Sequence, residues 1–198
     1  MTSPHTAAQF QALYHATPPW EIGRPQPAFA RLATAGALHG RVLDVGCGTG
    51  EHALMAASLG LDATGVDITP LAIMLARAKA RTRDLVARFV VADALDLSLL
   101  GRRFDTVLDC GLFHLLDDDG RARYVRSVGS ALRTGGRFFV LCFRVGQPGT
   151  LGPRRIAADE ISAAFADGWG VDSIEATRIL TTAGPHGALA WRAALTRR

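Results

Sequence analysis

The chain has 198 residues, 48% hydrophobic and 20% charged, which is apolar material for one core and too little length for two ordinary domains. No apolar run approaches the roughly 18 residues that suggest a membrane span, and the N-terminal "MTSPHTAAQFQALYH" lacks a basic leader, so a cytoplasmic location with no membrane partner follows by default. The formal net charge of +4 is spread through "KARTRDLVAR", "GRARYVR" and "GPRR" with acids nearby, which reads as solvated surface and not as a nucleic-acid footprint; Cys47, Cys110 and Cys142 are too dispersed for a disulfide framework or a zinc ribbon.

In chain order, residues 5–16 and 26–38 read as helices, separated by the proline-rich "TPPWEIGRP", which cannot be helical throughout. From residue 41 onward, short β-rich runs at 41–46, 61–67, 87–92, 104–110 and 136–143 alternate with amphipathic stretches, the pattern of βαβ units on a mainly parallel sheet. "TPLAIMLARAKAR" places Thr69 to cap and Pro70 at the first helical position, with Leu71, Met74, Leu75 and Ala78 on one face. "DDDGRARYVRSVGSALRTGG" opens on acids suited to a helix N-terminus, carries Tyr124, Val125, Val128 and Leu132 at helical spacing, and is expected to stop at Gly135-Gly136. After a loop over 144–155, "AADEISAAFADGW" reads as a helix, and "VDSIEATRIL" and "GALAWRAAL" as two strands. The short "TTAGPHG" between them forces an antiparallel pair, since a parallel pair needs a long crossover. The expected fold is α/β: a Rossmann-like, doubly wound, seven-stranded sheet, mainly parallel with a reversed C-terminal strand, plus N-terminal lid helices.

"VLDVGCGTGEHA" stops a strand at a glycine-rich turn and feeds a helix, so backbone and a helix N-terminus face a ligand there. A dinucleotide fingerprint requires Gly or Ala at position 51, where this chain has Glu51; the glycines fall instead at Gly46, Gly48 and Gly50. Asp67, at the end of the next strand and 21 positions beyond Gly46, stands where a carboxylate accepts both ribose hydroxyls.

"LDVGCGTG" resembles the first motif of class I S-adenosylmethionine-dependent methyltransferases, and further motifs follow in order. The resemblance implies S-adenosylmethionine as cofactor: its methionine part over Asp44, Gly46, Cys47, Gly48, Thr49 and Gly50, its ribose on Asp67 with Ile68 beside it, and its adenine beside Asp93 and Ala94 in "FVVADALDL". It also implies an Asp109-led loop, "DTVLDCGLFHLL", lining the reacting methyl group. The N-terminal "PPWEIGRPQPAF" is similar to the leading lid segment of thiopurine methyltransferase-like small-molecule enzymes. One domain is expected over 1–198, with 1–38 as lid and 39–198 as core.

Trp20 offers an aromatic face to a sulfonium or a flat acceptor, or else fills a hole in the core; Arg24 pairs either with the cofactor carboxylate or with a surface acid. Tyr14, Trp20, Phe113 and His114 are the candidate acceptor-binding residues. His114 is the catalytic candidate, a neutral imidazole able to take a proton from the acceptor, with plain packing as the alternative. Asp117 to Asp119 read as helix-start acids and not as metal ligands, and no metal site is expected. The expected activity is methyl transfer to O, S or N of a small, aromatic or heteroaromatic molecule, with no nucleic-acid partner and the oligomeric state open. A non-catalytic S-adenosylmethionine-binding regulator and an RNA methyltransferase are the alternatives.

Overall fold

A computed structural model describes residues 7–149 and 152–198; the first residues of the expected helix at 5–16 and part of the loop at 144–155 lie outside them. Two short helices come first, α1 (Ala7–Leu13) and α2 (Pro27–Thr34). Then strands and helices alternate: β1 (Arg41–Val45), α3 (Glu51–Ser58), β2 (Asp62–Asp67), α4 (Pro70–Thr82), β3 (Arg88–Val91), β4 (Phe104–Cys110), α5 (Asp118–Ala131), β5 (Leu132–Phe143), α6 (Ala158–Ala164), β6 (Trp169–Thr181) and β7 (Gly184–Arg197). Short 3-10 turns at Ala94–Leu100 and Phe113–Leu115 flank β4.

The sheet order is β3-β2-β1-β4-β5-β7-β6. β1 pairs in parallel with β2 and β4, and β7 runs antiparallel to both β5 and β6, so the reversed C-terminal strand is inserted between them and β6 forms the edge. Because side chains alternate faces along a strand, the buried sheet has two cores. Leu43, Val107, Phe138 and Val140 meet Tyr124, Val128, Phe165 and Trp169 on one side. Val42, Leu108, Phe139 and Leu141 meet Phe29 and Leu32 of α2 on the other.

Three local expectations are corrected. Thr69 sits at the N-cap of α4 without a side-chain cap bond; its backbone N–H donates instead to Asp67 Oδ1 at 2.8 Å. Helix α5 ends at Ala131 and β5 begins at once, with a register shift against β4 between Phe104 and Thr106, so Gly135-Gly136 lies in an irregular strand start and is not a helix stop. The last hairpin is longer than expected: β6 starts at Trp169, and only residues 182 and 183 separate it from β7.

Candidate active site

The strand order reverses between β1 and β4, and in open α/β sheets the crevice beyond the carboxyl ends at such a point receives the ligand. The glycine loop leaves β1 there. Gly48 has φ +52, and a Cβ on it would come within 2.8 Å of Tyr14 Oη and 3.0 Å of Glu21 Oε1. Gly50 has φ +89, and a Cβ on it would press to 2.7 Å on the Phe89 ring. Left-handed backbone in such tight surroundings selects glycine.

Asp67 closes one side of the crevice. Its Oδ2 accepts from Gly48 N at 2.9 Å and its Oδ1 from Thr69 N, which leaves each oxygen a further lone pair. Burial raises its pKa above the usual carboxylate value. Asp44 lies beneath the loop: it is 1% exposed, accepts from Ala53 N at 3.1 Å and faces His52 Nδ1 at 3.8 Å. Desolvation pushes Asp44 up to about 8. Asp44 therefore shapes the turn into α3 from below, a correction to its place among the contact residues.

Asp109 is likewise fully buried. It accepts from Leu112 N at 2.8 Å, Phe113 N at 3.0 Å and Tyr124 Oη at 2.8 Å, and burial raises it to about 7. It folds the loop after β4 and does not line the crevice. Phe113 is also corrected: it is fully buried, 5.8 Å from the Phe165 ring centroid, and has no face for an acceptor. His114, at the top of that loop, is 5% exposed and its Nδ1 accepts from Phe143 N at 2.9 Å. Desolvation, with Arg121 and Arg155 nearby, lowers its pKa to about 3. Leu112 from the same loop lies 3.4 Å from where a Cβ on Gly46 would be, so the glycine loop and the His114 loop adjoin.

The N-terminal segment lies over the glycine loop. Trp20 Nε1 donates to Tyr14 Oη at 3.2 Å, and Trp20 packs edge-on against both Tyr14 and Phe10. Glu21, which the sequence reading passed over, accepts from Thr49 N at 3.3 Å and from Thr49 Oγ1. Lys79 bonds Thr49 Oγ1 and lies 3.5 Å from Glu21. Lys79 and Arg83 also pair with Glu51 at 2.7 and 2.8 Å, and both hold its carboxyl below the usual range against a desolvation that acts the other way. Thus Glu51 is engaged by α4. The one hint of Glu21 in the sequence is an acid inside "PPWEIG", next to Trp20.

A family profile described as "Methyltransferase domain" matches residues 42–136. A 2-heptyl-1-hydroxyquinolin-4(1H)-one methyltransferase of Mycobacteroides abscessus is 37% identical over 167 residues, covering 83% of this chain and 74% of the relative. The chain belongs to the S-adenosylmethionine-dependent methyltransferases. A probable thiol methyltransferase of Arabidopsis thaliana is 26% identical, over 72% of this chain and 64% of that one. Among solved structures, one described as "Conversion of a Disulfide Bond into a Thioacetal Group during Echinomycin Biosynthesis" superposes with a TM-score of 0.89 at 37% identity, covering 97% of this chain and 93% of that one. The magnesium protoporphyrin IX methyltransferase of Synechocystis, solved with bound S-adenosylmethionine, shares the fold at a TM-score of 0.66 and 20% identity, over 86% of this chain and 76% of that one.

The residues present suit this methyltransferase's cofactor. Gly48 keeps the backbone bare beneath Tyr14 and Glu21, Gly50 lets the turn pack closely on Phe89 and Ala76, and the carboxylates of Asp67 and Glu21 at the loop suit ribose hydroxyls and a cationic ligand. Cys47 is buried, its Sγ turned to Gly48 O, so only its backbone serves the loop. Ile68, 40% exposed, follows Asp67 at the rim. Asp93 is exposed and caps the next 3-10 turn through Leu95 N at 2.8 Å, with Ala94 half-buried beside it. Arg24 is exposed and makes no ion pair with a described residue. Asp117 accepts from Gly120 N and Asp118 pairs with Arg154, as helix-start acids do; no group of three or more potential metal ligands occurs among the described residues. No described helix is long and apolar enough to cross a membrane.

Proposed function

We propose that this methyltransferase acts on a small heteroaromatic or phenolic hydroxyl, with a thiol as the second choice. The observation that carries the reading is the seating of the lid: Tyr14, Trp20 and Glu21 rest against Gly48 and Thr49, so the chain's own aromatic residues roof the cofactor loop. Such a roof suits a flat small molecule and leaves no open track for a polymer. The same seating supports grouping the chain with thiopurine methyltransferase-like enzymes. The hydroxyquinolone methyltransferase supports oxygen as acceptor, and the thiol methyltransferase keeps sulfur in view.

When bound, S-adenosylmethionine supplies a methyl carbon already activated by its sulfonium. The Gly46–Gly50 turn would receive its amino-acid end against bare backbone, the N–H groups of Gly48, Thr49 and Gly50 being already given to Asp67, Glu21 and Cys47 O, and Asp67 would hold the ribose with its remaining lone pairs. Ile68, Asp93 and Ala94 would flank the adenine, Arg24 would pair with the carboxylate, and Trp20 would offer its ring to the sulfonium. Tyr14, Trp20 and His114 border the acceptor. The lid excludes water, and alignment of two reactants lowers such barriers by several kcal/mol, on the order of 7–11 in favourable model systems.

Calorimetry with S-adenosylhomocysteine, followed by turnover with hydroxyquinolones, phenols and thiols, tests the reading. Binding with fastest turnover of hydroxylated heteroaromatics is expected. Binding without turnover of any acceptor would leave a cofactor-binding regulator and overturn the proposal, as would activity on RNA that falls steeply with salt.

A further inference from the structure

We infer that the acceptor enters as a preformed oxyanion and that His114 receives it as a hydrogen-bond donor through Nε2–H, not as the base that ionises it. The inference rests on the methyl-transfer reading above and deepens it: the substrates are acidic hydroxyl compounds, those whose oxygen ionises without help from the enzyme.

Phe143 N lies 2.9 Å from His114 Nδ1, and a backbone N–H can only donate, so Nδ1 must present its lone pair. In a neutral imidazole the single proton is then on Nε2. A ring in that tautomer has no free lone pair with which to take a proton from an acceptor; it would first have to break the bond to β5. The imidazole also stays neutral, since its pKa is held near 3 by desolvation and by the Arg121 and Arg155 guanidiniums.

The surroundings favour negative charge at the same place. Arg121 comes from α5, is 6% exposed, and lies with its Cζ 5.1 Å from the ring centroid of Phe113, the neighbour of His114. Its Nη1 pairs with Glu160 at 3.1 Å, while its Nε and Nη2 are buried without a hydrogen-bond partner among the described residues. Arg154 is tied to both Glu160 and Asp118, and the exposed Asp117, Asp119 and Asp159 lie at the same two helix starts, open to solvent screening, so the buried cation on this side is Arg121. Across the crevice the signs reverse: Asp67 and Glu21 lie at the glycine loop, above the buried Asp44. Asp109, the other acid near this loop, faces Leu112, Phe113 and Tyr124. A buried, incompletely paired guanidinium on the acceptor side and carboxylates on the cofactor side suit an oxyanion meeting a sulfonium. The oxyanion attacks the methyl carbon, the oxygen–carbon bond forms, and the carbon–sulfur bond breaks with its electron pair left on sulfur. Both charges vanish, and the acceptor's proton has already gone to solvent.

Two measurements test this. Nitrogen-15 NMR of the wild-type imidazole, assigned by comparison with His114→Gln, is expected to show a bare Nδ1 and a protonated Nε2 with no titration from about pH 5 to 8. A proton on Nδ1, or a titration in that range, overturns the donor role. The absorption of 4-nitrophenol added to enzyme saturated with S-adenosylhomocysteine is expected to be that of nitrophenolate at least one pH unit below its free ionisation, a tenfold gain in acidity. His114→Gln, which keeps a donor but takes no proton, should retain that shift, and His114→Phe should lose it. Binding as neutral nitrophenol, or no binding at millimolar concentration, overturns the oxyanion. Unchanged S-adenosylhomocysteine affinity in both variants, read by calorimetry, shows the cofactor site standing whichever way the acceptor result falls.

Discussion

Removing the Asp67 carboxylate takes away the acceptor for Gly48 N and Thr69 N together with the lone pairs offered to the ribose. A hydrogen bond to a charged group contributes about 1.5–3 kcal/mol, so Asp67→Ala should weaken S-adenosylhomocysteine binding by tenfold or more in calorimetry. An affinity within twofold of wild type would remove Asp67 from the site. Gly50→Ala addresses the loop's shape instead. The new Cβ meets the Phe89 ring at 2.7 Å on backbone with φ +89, strain of about 1–3 kcal/mol, and a chain of this size loses roughly 2–4 °C of melting temperature per kcal/mol. A clear drop in melting temperature is expected. The glycines and Asp67 were legible because their spacing is local to one strand-turn-helix and the strand after it. Glu21 and the tautomer of His114 were not, because each depends on a partner far along the chain: Thr49 for the first, Phe143 for the second. Nothing in "GLFHLL" announces that Phe143 N will claim one ring nitrogen.

The lid is held at both ends by side chains that a periodicity reading passes over. Gln26 donates to Leu180 O at 2.9 Å and accepts from Leu180 N at 2.8 Å, closing the segment onto β6, while Gln11 Oε1 accepts from Leu71 N at the start of α4. Between these anchors Glu21 is the tie to the glycine loop. Glu21→Ala should leave α2 protected and release the stretch before it, seen as faster amide hydrogen exchange over residues 10–24 with little change beyond residue 26. Equal protection in wild type and variant would mean that the lid is held without Glu21, by the Trp20 ring contacts and the bond from Thr182 N to Pro19 O at 2.8 Å. The alternating strands and helices from β1 to β4 were readable because each strand is short, buried and bounded by turn residues. The junction of α5 and β5 misled for a physical reason: paired glycines mark a helix end and an irregular strand start equally well, and only pairing with β4 decides between them. The hairpin of β6 and β7 runs longer than its apolar pattern because Thr181 pairs with Gly184 at the turn, and Trp169 and Gly170 pair with Arg197 and Thr196 at the other end, beyond the apolar run.

For the whole molecule, the buried ionisable groups fix how stability follows pH. Asp44 at about 8 and Asp109 at about 7 are raised by burial, with Asp67 raised in the same direction. Each is more protonated in the folded chain than in the unfolded one, so its stabilising share is present at low pH and is lost as pH rises through the folded value. His52 at about 4 and His114 at about 3 are lowered by desolvation. They resist protonation when folded, so they destabilise the fold as pH drops below about 6.5 and contribute no slope above it. The two effects oppose each other in acid, but above about pH 6.5 only the carboxyls act. Melting temperature should therefore decline from about pH 6.5 to 8. Asp44→Asn keeps an acceptor for Ala53 N and cannot ionise, so it should remove about 1–2 kcal/mol of that decline, leaving the share owed to Asp109. Chemical unfolding of both proteins at pH 6.5 and 8 measures the difference directly. Parallel slopes would mean that Asp44 is ionised beneath the loop, and the field on the cofactor side of the crevice would then be more negative than the neutral carboxyl implies.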